Sequence, residues 1–557
     1  MNEFHYYGPP GTGKTEVAKR SIAKAASDYG ADRVMVTSYT KAAAVELASR
    51  VTDIPKQMLG TTHALAYRAL GHPPLAEEFI GDFNDAYPGW AMTKSGVDLD
   101  DATDQMPEAT SGDRANALYQ LYRAQMIPRS AWPESIQAFA VAWETWKAAH
   151  DAADYTDLIE NALRIGIAPG NPTVMFADEA QDFTAIMMQL LRQWARTMEK
   201  VVFLGDDDQT IYTFTGANPE NLIGAAIPDA NKYVLSQSYR LPERVHRWCM
   251  EWISRVERRQ LKQFAPRRSL ILPDGSMDMS SPVVEGSLRM SAASLRYLDP
   301  EIGYIRERIA AGKSVMLLAS CGYMLVPWIQ ALREAGLPYH NPYRRNRGDW
   351  NPLARGPGSA AQRVHSFLMV EHPRSSVPNW TWWNINQWTG VIRADGVLKR
   401  GAKKEIEELA EQWPGVRPRP DEYGKFFNCI MPWVDSEDQG IPWRMPGRAQ
   451  WLVDHALPNR RKALAYAADI ADKLGADQLT QDPRIIVGTI HSVKGGQADT
   501  VMMAPDLSRE GWNRWYSGGA GRDELRRVFY VGGSRAFEEL VLMQPASGLH
   551  AELPLNP

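Results

Sequence analysis

The feature that most narrows what this chain can become is Gly8-Pro9-Pro10-Gly11-Thr12-Gly13-Lys14-Thr15, a G-x-x-x-x-G-K-[ST] run. It stands between a β-prone run at residues 4–7 and a helical pattern at 15–26, the strand–loop–helix setting that such a loop requires. Its glycines let main-chain N–H groups close around phosphate oxygens, and the helix N-terminus adds partial positive charge. In that arrangement Lys14 reaches the β- and γ-phosphates and Thr15 ligates Mg²⁺, which makes the chain a P-loop nucleoside triphosphatase in expectation.

Further short apolar runs, at 34–37, 174–177, 201–204, 315–319, 485–488 and 501–503, alternate with helical patterns at 42–50 and 326–335. That rhythm predicts an α/β fold built on parallel sheets. Two acids, Asp178 and Glu179, follow the run at 174–177, where the carboxyl end of a parallel strand would set them beside the P-loop. Asp178 is then the second Mg²⁺ partner, and Glu179 the group that orients and deprotonates the attacking water. Asp206-Asp207-Asp208-Gln209 follow the next strand. Gln209 is a candidate sensor of the γ-phosphate, while the triple acid by itself reads as a solvated loop.

The chain has 557 residues, which implies three or four structural units. Lys+Arg number 62 against 66 Asp+Glu, a net charge of −4, so any nucleic acid must be held by a local track and not by a global basic field. Three cysteines, Cys249, Cys321 and Cys429, supply neither a disulfide framework nor a four-thiolate cluster. No signal peptide and no membrane span is expected, and a reducing cytoplasm is the expected compartment. Two stretches break the α/β rhythm. Residues 72–150 are helix-prone, with acids at Asp98, Asp100, Asp101 and Asp104, and 341–479 hold nine of the 19 Trp, which read as an aromatic core.

Together the motifs resemble superfamily 1 helicases of the UvrD/Rep/PcrA-like branch. Asp178-Glu179-Ala180-Gln181-Asp182 is similar to motif II, and Gly205-Asp206-Asp207-Asp208-Gln209-Thr210-Ile211-Tyr212 to motif III. Gln237-Ser238-Tyr239-Arg240 resembles motif IV, Thr489-Ile490-His491-Ser492-Val493-Lys494-Gly495 motif V, and residues 526–536, ending Ser534-Arg535-Ala536, motif VI. Ser38-Tyr39-Thr40 and Gly60-Thr61-Thr62-His63 resemble motifs Ia and Ib. The set runs in family order from residue 8 to 536.

The resemblance implies two RecA-like parallel-sheet P-loop domains, each with an inserted, mainly helical accessory domain. On this chain domain 1A would be 1–71 with 151–236, 1B 72–150, 2A 237–340 with 480–557, and 2B 341–479. ATP and Mg²⁺ are the implied cofactors, with ATP gripped by Gly8–Thr15, Tyr239 against the adenine, Gly495, Gln497, and Arg240 and Arg535 as arginine fingers. Single-stranded DNA would stack on Tyr39, Tyr212 and Phe214 and touch Thr61, His63 and His491. The implied activity is ATP-dependent translocation on single-stranded DNA, 3′ to 5′, unwinding tailed or forked duplexes; the alternative is a translocase that strips proteins from single strands. A cytoplasmic location follows, at the nucleoid in a bacterium.

Some positions depart from the family pattern. Seven residues precede Gly8, leaving no Gln-containing adenine motif there, so other nucleoside triphosphates are expected to serve. Phe214-Thr215 replaces Trp-Arg, Gln497 replaces an acid expected to contact ribose, and Gly532-Gly533 replaces bulkier residues in motif VI. Basic clusters at Arg255/Arg258/Arg259/Lys262 and Arg344/Arg345/Arg347 are candidate phosphate contacts, with a solvated face as the alternative.

Overall fold

The computed structural model describes residues 2–39, 54–93, 110–368, 380–428 and 448–554, apart from positions 225, 274, 346 and 357. The helix expected at 42–50, Thr40, the acids Asp98, Asp100, Asp101 and Asp104, and Cys429, Trp433 and Trp443 lie outside these residues. Two six-stranded sheets organise the rest, and every strand pair in both is parallel. The fold is therefore two RecA-like cores with helical insertions, as expected.

The first sheet contains β1 (Glu3–Tyr7), β2 (Val34–Ser38), β3 (Leu59–Thr61), β4 (Val174–Asp178), β5 (Lys200–Gly205) and β6 (Lys232–Val234), in the order β3-β2-β4-β5-β1-β6. All residues of β2 and β4 are buried, which is why these strands read as unbroken apolar runs and not as alternating ones. Because β4, β5 and β1 are neighbours, the loops leaving their carboxyl ends emerge side by side. These loops are Asp178-Glu179, Asp206–Gln209 and the P-loop.

The second sheet contains β7 (Ser287–Ser294), β8 (Val315–Ala319), β9 (Tyr339–His340), β10 (Ile485–Thr489), β11 (Ala498–Met503) and β12 (Ala536–Gln544), in the order β7-β12-β11-β8-β10-β9. Its strands come from both sides of a stretch whose described elements, from Ala360–Leu368 to Pro458–Leu474, are helices.

Between β3 and β4 the helices Ile80–Ala86, Ser111–Ala124 and Glu134–Ala149 enclose their own core of Phe83, Tyr119, Phe139, Trp143 and Trp146. A buried ionic knot ties that core to the helix Tyr155–Ile165. Asp154 is fully buried and meets Arg123 at 3.1 Å and Lys147 at 2.6 Å, while Arg123 also reaches Asp157 at 2.5 Å. Burial alone would raise the Asp154 carboxyl; the two cations more than offset it and hold it below the usual carboxylate range.

The tryptophans of the second insertion form a core, as their number suggested. Phe367 lies between Trp380 and Trp451, each with its ring centre 5.7 Å away, and Trp388 closes the cluster at 5.3 Å. This core is continuous with that of the second sheet, and the Tyr466 hydroxyl donates to the Leu337 carbonyl just before β9. Trp413 alone among the described tryptophans there is more than half exposed, at 55%.

The Gly532-Gly533 pair has a packing cause. The helix Gly519–Gly533 lies against the helix Glu243–Ile253, and a Cβ on Gly533 would sit 2.3 Å from the Trp248 ring. A Cβ on Gly532 would meet Met503 Sδ at 2.7 Å. Trp248 and Met503 fill the space that side chains at 532 and 533 would need. Gly533→Ala should therefore destabilise the chain by about 1–3 kcal/mol, seen as a lower urea midpoint with unchanged slope.

Candidate active site

The P-loop closes on itself and on both sheets. Gly8 N–H donates to the Gly205 carbonyl at 2.8 Å, which ties the loop to the end of β5. The Thr12 hydroxyl donates to the Pro9 carbonyl at 2.8 Å. Gly11 and Gly13 have φ of 71° and 75°, the left-handed region where a side chain is strained. At Gly11 there is a second reason for glycine, since a Cβ would stand 2.4 Å from Arg240 Cβ. The Ser238 hydroxyl donates to the Pro10 carbonyl at 2.9 Å, and Tyr239 N–H to the Gly11 carbonyl at 2.8 Å. The segment that carries Tyr239 and Arg240 is thus hydrogen-bonded directly to the loop.

A cavity of about 630 Å³ opens where the two sheets meet. The first sheet contributes all of Gly8–Thr15 together with Asp178, Glu179 and Gln209. Tyr239, Arg240, Gly495, Gln497 and Arg535 face it from the other side. Every residue that the sequence assigns to the nucleotide therefore lines one space.

Its electrostatics are unevenly balanced. Lys14 Nζ is 2.8 Å from Glu179 Oε2. Burial opposes the lysine's charge, but Glu179 and Asp178 outweigh it and hold Lys14 above the ordinary lysine range. Glu179 is correspondingly held low, with Lys14 and Lys494 outweighing its burial. Its φ of 54° is strained for a residue with a side chain.

Arg240 and Arg535 differ, since among the described residues neither has a carboxylate in ion-pair contact. Arg240 Nε donates to Gln497 Oε1 at 3.0 Å, and Arg535 donates to Gln209 Oε1 at 3.0 Å and to the Val531 carbonyl at 2.9 Å. Burial first, and then the charge of Arg535, push Arg240 down to about 9; burial lowers Arg535 too. Two guanidiniums set side by side with no described carboxylate in ion-pair contact present several N–H donors suited to an oxyanion.

Glu16, Asp182, Tyr343 and Lys494 also line the cavity and were given no role by the sequence reading. Lys494 bonds Asp182 at 2.6 Å and the Gln209 carbonyl at 2.9 Å, and its ammonium lies 4.8 Å from the centre of the Tyr212 ring. Its place inside the motif V run was the available signal. Tyr343 also lines the cavity, with its hydroxyl against Gly496. It lies just past β9, in a stretch that matches no motif, so nothing in the sequence pointed to it.

The residues expected on a nucleic-acid track divide. Tyr39, His63 and Phe214 line a second cavity of about 520 Å³ between the first core and its helical insertion. Tyr212 lines the nucleotide cavity instead, stacks on Tyr39 at 6.1 Å, and donates its hydroxyl to the His491 carbonyl at 3.2 Å. Thr61 caps the helix Thr62–Ala69, its hydroxyl accepting from Ala64 N–H at 3.2 Å. Burial lowers both His63 and His491 to about 4, so at neutral pH each could offer phosphate an N–H but no charge. The His491 ring stands 5.5 Å from Phe214.

The basic cluster at Arg255/Arg258/Arg259/Lys262 divides between surface and core. Arg255 pairs with Glu251 and Arg258 with Glu220, while Arg259 and Lys262 are buried against Asp208 and the whole Asp206–Asp208 run. The acids expected in a solvated loop are themselves fully buried. Arg347 of the other cluster bonds Asp349 and covers Trp350, whereas Arg345 is exposed.

Asp182 supplies a pH test. Burial raises its carboxyl to about 6 from 3.8, against the pull of Lys494. The folded chain then binds this proton more tightly than the unfolded one, so the group's contribution to stability falls as pH rises from about 4 to about 6. Melting temperatures of Asp182→Asn and wild type should diverge in the variant's favour across that window and run parallel above it.

Residues 6–226 match the family model for the UvrD/REP helicase N-terminal domain. The chain is 22% identical over 257 residues to a protein described as a putative ATP-dependent DNA helicase YjcD of Bacillus subtilis, covering 41% of this chain and 34% of that one. It is 25% identical over 262 residues to the ATP-dependent DNA helicase PcrA of Leuconostoc citreum, covering 42% and 35%. It is 27% identical over 269 residues to the ATP-dependent DNA helicase Rep of Escherichia coli, covering 42% and 38%. The matched part spans little more than a third of the length of these curated relatives.

Proposed function

Because this chain belongs to the UvrD/Rep/PcrA-like branch of superfamily 1 helicases, we propose that it is an ATP-driven translocase on single-stranded DNA. On this reading it moves 3′ to 5′ and couples hydrolysis to the opening of tailed or forked duplexes. Its working parts are two nucleotide cores, 1–71 with 151–236 and 237–340 with 480–557, carrying 72–150 and 341–479 as accessory insertions. The observation that supports it best is the cavity with the P-loop on one wall and two unneutralised guanidiniums on the other.

Phosphoryl transfer asks mainly for positioning and for charge placed where charge develops. Gly8–Thr15 cradle the triphosphate, and Tyr239 stacks on its base. Thr15 and the buried Asp178 offer the hard oxygen donors that suit Mg²⁺, and both line this cavity. The ion would neutralise phosphate charge there. Lys14, drawn to the phosphates, releases Glu179, whose carboxylate takes the proton of the attacking water. Gln209 positions that water, and Arg240 and Arg535 bind the charge that builds on the γ-phosphate. Since both arginines come from the second core, the triphosphate binds the closed cleft better than the open one, and hydrolysis removes that preference. The open and closed states then alternate along a strand held by Tyr39, His63 and Phe214, which share the second cavity.

The decisive measurement is ATP turnover with and without single-stranded DNA, which DNA should stimulate. Lys14→Ala should lower kcat by at least about 10²-fold. Arg535→Ala should lower kcat by about 10³-fold or more with little change in nucleotide affinity, because it acts on the transition state. Unwinding of 3′-tailed against 5′-tailed duplexes reads out direction. Turnover indifferent to DNA, or wild-type kcat in either variant, would overturn the assignment.

A further inference from the structure

We propose that Asp206, clamped by Lys262 from the second core's side of the chain, is a positioning residue that decides which end of the Gln209 side chain faces Arg535. The inference rests on the nucleotide-site reading above and adds a residue to it.

Three successive carboxylates at 0% exposure need a strong cause, because taking each out of water is costly. Lys262 supplies it. Its side chain is 1% exposed, and its ammonium lies 2.9 Å from Asp206 Oδ1, 2.5 Å from Asp207 Oδ1 and 2.9 Å from Asp208 Oδ2. One ammonium thus pairs with three acids and hydrogen-bonds Asp207, while Asp208 N–H donates to Asp206 Oδ1 at 3.2 Å. Arg259 holds Asp208 through two further bonds, and Gln260 N–H donates to Asp207 Oδ2 at 2.9 Å. Arg527, on the helix Gly519–Gly533, donates to the Asp207 carbonyl at 3.0 Å. The acids grow from the end of β5; the cations that hold them, Arg259 and Lys262, both lie beyond residue 258.

With Oδ1 on Lys262, the other oxygen of Asp206 accepts from Gln209 Nε2 at 2.8 Å. Gln209 Oε1 then accepts from Arg535 at 3.0 Å. An amide has one donor end and one acceptor end, whereas an ionised carboxylate only accepts and a guanidinium only donates. The two flanking groups therefore permit a single orientation of the Gln209 amide. Asp206 acts as an orienting acid does beside a catalytic imidazole, without touching the substrate.

This predicts an asymmetric response to a near-isosteric change. In Asp206→Asn, Lys262 still claims the oxygen, so an N–H₂ faces Gln209. The Gln209 amide must turn over and presents a donor to Arg535, itself a donor. DNA-stimulated kcat should fall at least about tenfold, while the Kd for a fluorescent ATP analogue and the melting temperature stay near wild type. Gln209→Glu alone places two carboxylates face to face. In the Asp206→Asn background the same Glu accepts from both neighbours, so Gln209→Glu should be less damaging there than in the wild-type background. Lys262→Arg keeps the charge but replaces a three-way point donor by a planar fork; kcat should fall here too, at unchanged ATP affinity.

Effects of Asp206→Asn and Gln209→Glu that simply add would overturn the proposal. So would an Asp206→Asn enzyme with wild-type kcat. If Asp206→Asn does not fold, wild-type kcat in Lys262→Arg overturns it instead. A wild-type chain without DNA-stimulated turnover would sink the underlying reading; normal wild-type turnover with an additive cycle sinks this inference alone.

Discussion

Four cations converge on the seam between the two sheets, and carboxylates meet only two of them among the described residues. Lys14 has Glu179 and Lys494 has Asp182, both pairs largely out of water. Arg240 and Arg535 have only neutral oxygens. The two guanidiniums repel each other, and an anion between them would relieve that repulsion. The rest of the molecule can be understood as what holds that imbalance in place. Parallel strands bring three loops to one edge, a glycine-rich turn lets the second core approach to van der Waals distance, and a tryptophan-backed helix delivers Arg535.

That the residues assigned to the nucleotide would share one cavity was legible because the runs that carry them are local. A P-loop, an acidic pair after a strand and a Q-x-Y-R run each carry their chemistry within a few residues, and parallel topology then collects them. The paired cores were legible for the same reason, since short apolar runs alternated with helical ones. Strand ends moved by one to three residues: β4 takes in Asp178, β10 takes in Thr489, and β11 begins at Ala498.

What could not be read depends on partners distant in sequence. Asp207 and Asp208 are 55 and 51 residues from Lys262 and Arg259, so two charge runs that each look solvated are in fact one buried cluster. Pairing of that kind leaves no periodicity and no motif. Tyr343 is a second case, carried to the cavity wall by a turn after β9. The Tyr212 ring is a third, placed by its motif near bases but turned toward Lys494 and the nucleotide cavity.

The bonds from Ser238 and Tyr239 to the carbonyls of Pro10 and Gly11 carry a mechanical consequence. They strap the glycine-rich turn to the segment that bears Arg240, so a shift of the turn is handed to that arginine without passing through either sheet.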